Sequence, residues 1–541
     1  MDFSNPAACL DLLQKLHPTD VPRTHATLIQ MTEALLEAAP APNQHLEVLE
    51  AAREMIACTQ DETARSYAGQ PLPPDSKGNE ILLQVLRLWR TLSRSYAQIA
   101  RIDAAAGTLD DQRALLAQRR THYTGLELFE YFRARRTVAE GCWREIHTSH
   151  AAAVRAGVHR IRVSDSLNEV WHAQSALEAY VSILLTDLAN PYGRSERELN
   201  WVIRWAQRFA PYCSLSSAEE DTKAADYGID LNSDVGLRPI GLLPHTPARL
   251  RFDGSTLATQ IQAVLAQFKR GARPASLGLG EDCSTDAGAR LLLSLYRPWG
   301  RGTAGRRFPR RKSEGQLKLT GDWLTIGFAI EGVVFRQPRG DNSLHRLRDD
   351  ISLLTFGERA QEVDGPEHTH ERHQRDAERL GLDYERWDLL DQSVAGFRLQ
   401  RQALGERLAH HQLVGIRPPD GDRFLLGDLS WLMYREDGTL VAGVEVLPGL
   451  PRMVAVRQSS GLKSGRDPYQ QGFLLPESAA LKTSARIILP SLWYSPGQLI
   501  EVHEQDGARQ FRLSRLVRRG ANYDLCAFET IESAAGGVRT A

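Results

Sequence analysis

Along the first 215 or so residues, apolar side chains recur at steps of three and four. The clearest run is Ile81, Leu82, Val85, Leu86, Leu88, Trp89 and Leu92, a spacing that lays one apolar stripe along a helix. Start signals agree with it. Asn5-Pro6 sets proline at a first helical position, and Pro22 and Pro73-Pro74 mark breaks. The stretch 33–53 is rich in Ala, Glu and Leu, which favour helix strongly. The pattern predicts seven or eight helices, with long ones near 75–103, 109–136 and 166–190. Trp171, Trp201 and Trp205 fall at helical spacing and are expected in the core. No repeat of 34 or 40 residues is visible, so a solenoid is not supported.

The texture changes near 213–250, where Gly and Pro cluster. A mixed segment follows, with helices expected near Ser255–Phe268 and Asp286–Leu295. Beyond Leu317 the pattern is β. Strands are expected at Leu317–Gly321, Trp323–Phe335, Arg386–Leu390, Phe397–Gln400, Gln412–Ile416, Phe424–Tyr434, Thr439–Leu447 and Met453–Val456, and again from Gly472 to Phe528. Close Gly and Pro punctuation favours an antiparallel barrel over a parallel sheet. The expected fold is α+β and multidomain, an all-α region followed by an antiparallel β-barrel and an additional β segment. Its parts are a helical interaction domain (1–215), a mixed linker (216–300), a barrel (301–457) with a charged insertion (337–384), a further β module (458–530) and a flexible tail (531–541).

The chain has 541 residues and a formal net charge of −1, which gives no global case for nucleic-acid or membrane-surface binding. Any anion site must be local. The six cysteines are scattered, without metal-ligand spacing, as expected of free thiols in a reducing compartment. No basic leader opens the chain and no apolar run reaches membrane-spanning length, so a cytoplasmic protein is expected.

Two short pieces carry the candidate chemistry. Arg306-Arg-Phe-Pro-Arg-Arg311 is an RxxxR pattern in a dense basic cluster. Guanidinium forks match phosphate oxygens two at a time and can stack on a base. Asp391-x-Ser393-x-x-Gly396 is a turn between strand-like runs. A carboxylate there can accept from guanine N1 and N2, a hydroxyl can bond a phosphate or base edge, and Gly permits close approach. Together they suggest a pocket for a small, doubly anionic, guanine-bearing ligand.

RxxxR before a first strand and DxSxxG between the next two resemble the PilZ domain, a bacterial receptor for cyclic di-GMP. The family's Arg-Arg-x-x-x-Arg falls on Arg306, Arg307 and Arg311, and its second motif on Asp391, Ser393 and Gly396. Val441–Leu447 resembles the closing strand. The resemblance spans about 306–457 and implies a six-stranded barrel with those six residues binding the ligand. It departs from the compact family pattern in the nearly eighty residues between Arg311 and Asp391, and a second RxxxR at Arg375–Arg379 competes for the clamp.

The function expected is a non-enzymatic cyclic di-GMP effector that signals to an unknown protein partner through its helical domain, without a metal or other cofactor. Ligand binding would order the Arg301–Lys312 stretch. Control of type IV pili, surface motility or biofilm is carried as an expectation from the resemblance. One alternative is a degenerate PilZ-like scaffold acting by protein contacts alone. Another is a metal-dependent hydrolase built on His368, His370 and His373, although Arg372 stands where such a site needs an acid. Glu33-Ala34-Leu35 spells a phosphodiesterase signature, but in this helix it is composition.

Overall fold

Helix start and stop chemistry organises the N-terminal region. Ser175 and Ser195 each close a capping box with a glutamate three residues on, and Asp75 caps another helix while Gly107, in the left-handed region, ends it. The computed structural model describes residues 2–17, 19–218, 226–300, 309–338, 381–382, 384–402, 404–459, 467–477, 483–504 and 507–531. The chain divides into two units, Met1–Arg307 with Met433–Glu436, and Phe308–Leu432 with Asp437–Ala541.

The first unit holds α1 (Pro6–Leu13), α2 (Val21–Ala38), α3 (Pro42–Ala64), α4 (Ser76–Ala106), α5 (Arg113–Arg133), α6 (Cys142–Arg155), α7 (Ala176–Leu188) and α8 (Glu196–Phe209). A short ladder of β1 (Val163–Ser164) and β2 (Ala173–Gln174) precedes α7. A four-stranded sheet of β3 (Ser214–Ser217), β4 (Tyr227–Asp230), β5 (Arg238–Pro239) and β6 (Arg249–Asp253) follows α8, then α9 (Ser255–Lys269) and α10 (Thr285–Gly300). The stretch expected as a linker is part of this core. Trp299 is fully buried and donates its indole N–H to Leu185 O at 2.8 Å, fastening α10 to α7.

The helix expected from 166 begins only at Ala176. Asn168 accepts the backbone N–H groups of Val170 and Trp171, and His172 takes φ 50°, so the chain turns instead. Trp171 is accordingly partly exposed, whereas Trp201 and Trp205 are core residues. This turn is tied down from within. Asp165, 1% exposed, receives Arg53 at 2.6 Å, and Arg119 reaches Glu50 at 3.0 Å.

In the second unit, β7 (Arg311–Lys312) and β8 (Gln316–Thr320) precede α11 (Trp323–Glu331). The strand expected at 323–335 is therefore a helix through Glu331. Asp322 accepts Thr325 N–H at its start, and Gly332 at φ 74° stops it. Then come β9 (Glu385–Ser393), β10 (Gly396–Gln402), β11 (Leu413–Arg417), β12 (Leu425–Tyr434) and β13 (Thr439–Val446). Pairing runs β8-β9-β10-β13-β12-β11 and back to β8, which closes a six-stranded barrel. A second closed barrel has the order β14-β15-β16-β19-β18-β17. Its strands are β14 (Arg452–Gln458), β15 (Gln470–Leu475), β16 (Arg486–Pro490), β17 (Leu499–Glu504), β18 (Gly507–Arg519) and β19 (Tyr523–Ile531). The strand at 453–456, which the expected barrel bound of 301–457 takes into the first barrel, instead opens the second.

The two barrels share an apolar seam that includes Ile326 of α11, Leu413, Leu426, Phe473, Ile488 and Tyr523. A buried polar knot sits beside it. Asp428 of β12 is 0% exposed and accepts Tyr523 O–H at 2.8 Å, with His411 Nδ1 at 2.8 Å and Arg518 Nη1 at 3.3 Å. Among the described residues, no helix is long and apolar enough to cross a membrane.

Two expectations follow for stability. Removing one member of a buried charged set leaves the others unpaired, so Asp428→Ala should cost ~3–5 kcal/mol in denaturant unfolding. Unchanged stability would show that the knot does not hold the barrels. In the first unit, burial lowers the pKa of His45 and His122 to about 4 and of His150 to about 3. These rings are neutral when folded, so the unfolded chain binds more protons below the ordinary value of 6.5. Stability should fall as pH drops from 6.5 toward 4, by up to ~1.4 kcal/mol per pH unit for each such ring. Thermal melts of wild type and His45→Gln check this, the variant showing the shallower dependence.

Candidate functional site: a cross-strand charge row on the first barrel

Strand β9 begins as an ordinary barrel strand. Trp387 and Leu389 alternate inward and are 0% and 4% exposed. Continued alternation would send Asp391 inward as well. It does not go there, because Leu390 is an extra residue. The β9–β10 register pairs Leu399 with Leu389 but Arg398 with Asp391, so Leu390 bulges. The bulge turns Asp391 to the face carrying Arg398, while Phe397 and Leu399 of β10 stay buried.

The edge strand β7 docks against the same place. Lys312 is register partner to Asp391, and Arg311 to Gln392. Gly315, at φ 125°, permits the bend between β7 and β8, and its carbonyl accepts Leu389 N–H at 2.9 Å. Lys312, Asp391 and Arg398 therefore form one row across three strands. Arg310 joins from the end of β7, with Nη1 2.5 Å from Asp391 Oδ1. Arg398 Nη1 stands 3.8 Å from Asp391 Oδ2. Three cations surround one carboxylate, which leaves the locus net positive.

The β9–β10 turn is built from its own motif. Ser393 Oγ accepts Ala395 N–H at 3.3 Å and donates to Gly396 O at 3.4 Å. Only two residues, Val394 and Ala395, connect the strands. Gly396 is required by crowding. A Cβ there would lie 2.0 Å from the Val444 carbonyl oxygen of β13.

Of the six residues singled out from sequence, Asp391, Ser393 and Gly396 meet at this turn, and Arg311 lies on β7, the strand paired with β9, opposite Gln392. Strand alternation puts Arg311, opposite Gln392, on the reverse side of β7 from Lys312. Arg306 and Arg307 lie outside the described residues, as do Arg375 and Arg379 and the histidines at 368, 370 and 373. The residue on Asp391 is Arg310, whose RxxxR spacing to Arg306 is equally present in the cluster. Lys312 and Arg398 were not singled out by sequence reasoning. Arg398 had a signal available, being two residues beyond Gly396 in a hairpin, but its partner could be found only through the bulge. Among the described residues, no group of three or more His, Cys, Asp or Glu side chains could hold a metal ion.

Residues 7–221 match the family model described as "Cyclic-di-GMP receptor FimW, N-terminal domain". Residues 454–531, almost the whole second barrel, match "FimW C-terminal beta-barrel domain". Both ends of the chain are thus similar to a family of cyclic di-GMP receptors, and the two matches flank the barrel that carries the charge row. The chain is also 25% identical over 420 residues to the Cyclic-di-GMP receptor FimW of Pseudomonas aeruginosa. That match covers 70% of this chain and 66% of the relative.

Deleting Leu390 leaves Asp391 directly after Leu389, outward by plain alternation and still opposite Arg398. The full chain should therefore unfold in urea within ~1 kcal/mol of wild type. A loss of ~3–5 kcal/mol, the scale of an uncompensated buried charge, would show that Asp391 had turned inward and that Leu390 is not the extra residue.

Proposed function

We propose that this chain is a cyclic di-GMP effector whose ligand seats on the outer face of the first barrel, at the Lys312–Asp391–Arg398 row. The observation that carries the reading is that row. A carboxylate able to accept guanine N–H donors stands among three cations able to hold phosphates. The similarity of both ends of the chain to FimW receptors supports the same ligand. Arg310 and Lys312 are assigned to phosphate binding, with Arg306 and Arg307 as further members of the clamp; Arg311, on the reverse side of β7, is left out of it. Asp391 takes the guanine edge, Ser393 fixes the turn, and Gly396 keeps β13 close beneath it.

In this reading no bond is made or broken. Binding exchanges partners: Arg310 leaves Asp391 for a phosphate, and Asp391 turns to the base. The first unit, with its ten helices among the described residues, passes the ligand's presence to a protein partner. The setting is cytoplasmic, and the output is surface behaviour such as type IV pilus motility or biofilm formation. The Arg310–Asp391 pair also favours a second reading, a scaffold in which the row is only an internal ion pair and no nucleotide binds.

Calorimetric titration of cyclic di-GMP separates the two. Wild type should bind. Arg310→Ala, Arg307→Ala and Asp391→Ala should each bind at least tenfold more weakly, about 1.4 kcal/mol. Affinity should also weaken as salt is raised. Absence of wild-type heat at all salt concentrations favours the scaffold, while equal affinity in all four proteins moves the ligand elsewhere.

A further inference from the structure

We propose that the first unit carries a binding site of its own, a cleft between α3, α5, α8 and the turn joining β1 to β2, which takes an organic cation: an ammonium or guanidinium on an apolar stem. The cleft encloses about 400 Å³, within the range of small-ligand pockets. Its apolar wall comes from Ala57 of α3, Leu126 of α5, Leu167 of the turn and Ile203 of α8. Each is only partly buried, so its surface is open to a ligand. The turn is a fixed part of that wall. Asp165, which Arg53 holds from within, also accepts Leu167 N–H at 3.2 Å.

The charges of the cleft favour a cation. Three carboxylates line it, Asp61, Glu130 and Glu169, against two guanidiniums, Arg133 and Arg204. Both guanidiniums are already engaged. Arg133 Nη1 lies 3.3 Å from Asp61 and 3.3 Å from Glu130, and Arg204 Nη1 lies 2.7 Å from Asp282. An anion would have to take an arginine from its carboxylates. A cation instead meets Asp61 and Glu169, whose side chains are 63% and 77% exposed. His122 supplies the acceptor. Its half-buried ring lines the cleft, and among the described residues it makes no hydrogen bond or ion pair. Burial keeps that ring neutral, so one nitrogen retains its lone pair and the ring does not repel a cation. The imidazole takes one N–H, the carboxylates balance the charge, and the wall covers the stem. This site stands independently of the cyclic di-GMP reading, which concerns the other unit.

Calorimetric titration of the full chain tests this with 2-phenylethylamine, cationic at neutral pH, and 2-phenylethanol, its uncharged counterpart. Wild type should bind the amine about tenfold more tightly than the alcohol, the scale separating a charge-assisted hydrogen bond from a neutral one. Ala57→Phe, which fills the cleft, should abolish binding of the amine. Glu169→Gln should weaken the amine about threefold, as expected of an exposed charge, and leave the alcohol unchanged. His122→Phe, which keeps a ring and removes the acceptor, should weaken the amine about tenfold. If Ala57→Phe does not fold, the other two variants carry the test. Nα-acetyl-lysine methylamide distinguishes the source of the cation. Competition with the amine assigns the cleft to a basic side chain of a partner protein, and failure to compete assigns it to a free amine; either result upholds the cation site. Wild type binding neither probe, or both equally, overturns the proposal, as does wild-type affinity for the amine in all the folded variants.

Discussion

The candidate site depends on one extra residue in one strand. A barrel strand alternates inward and outward, and closure on both sides leaves it no freedom to slip. β9 is paired along one edge with β8 and β7 and along the other with β10. Its N-terminal half must put Trp387 and Leu389 inside. Its C-terminal half presents a charge. Leu390 reconciles the two by occupying a position that neither neighbour matches. Were β9 paired regularly through Leu390, Asp391 would enter a core lined by Trp387, Leu389 and Leu399, where burial of an unpaired charge is unfavourable by several kcal/mol.

Closure also transmits rigidity to the turn. Gly396 lies against β13, and Glu445, its register partner on that strand, receives Arg518 of the second barrel at 2.9 Å. Arg518 in turn faces Asp428, which Tyr523 also bonds. The hairpin that carries Asp391 is thus continuous, through one strand and one guanidinium, with the polar knot of the barrel seam. A rigid support matters for an anion site, because cations held in place lose less entropy when a ligand arrives.

Much of this was legible in the sequence, for identifiable reasons. Helix periodicity set α4 and α5 close to where the pattern puts them, near 75–103 and 109–136. Glycine and proline punctuation marked the change to antiparallel β. The turn at Asp391–Gly396 was legible because its chemistry is local: Ser393 bonds within the turn it defines. What was not legible depends on long-range pairing. The helix at Trp323–Glu331 is apolar on most sides, a composition that reads as a buried strand until Asp322 and Gly332 are recognised as its caps. The boundary between barrels is set by which strands close a ring, and no local pattern encodes that. Arg398 and Lys312 belong to the site only through register, and the register turns on Leu390.

The charge balance of the row bears on how such a site works. Asp391 is neutralised in the free protein by Arg310, and the pair costs little to hold because both groups keep some contact with water. A dianionic ligand that approaches three cations and one carboxylate meets net attraction, yet it must separate that pair to use both members. The cost of separation is offset when each member gains a partner of its own, a phosphate for the arginine and an N–H edge for the carboxylate. A simple inorganic anion supplies only the first, and an uncharged base only the second. A site that begins as an internal ion pair therefore rewards ligands that bring both chemistries on one frame, and this selectivity precedes any finer reading of the base.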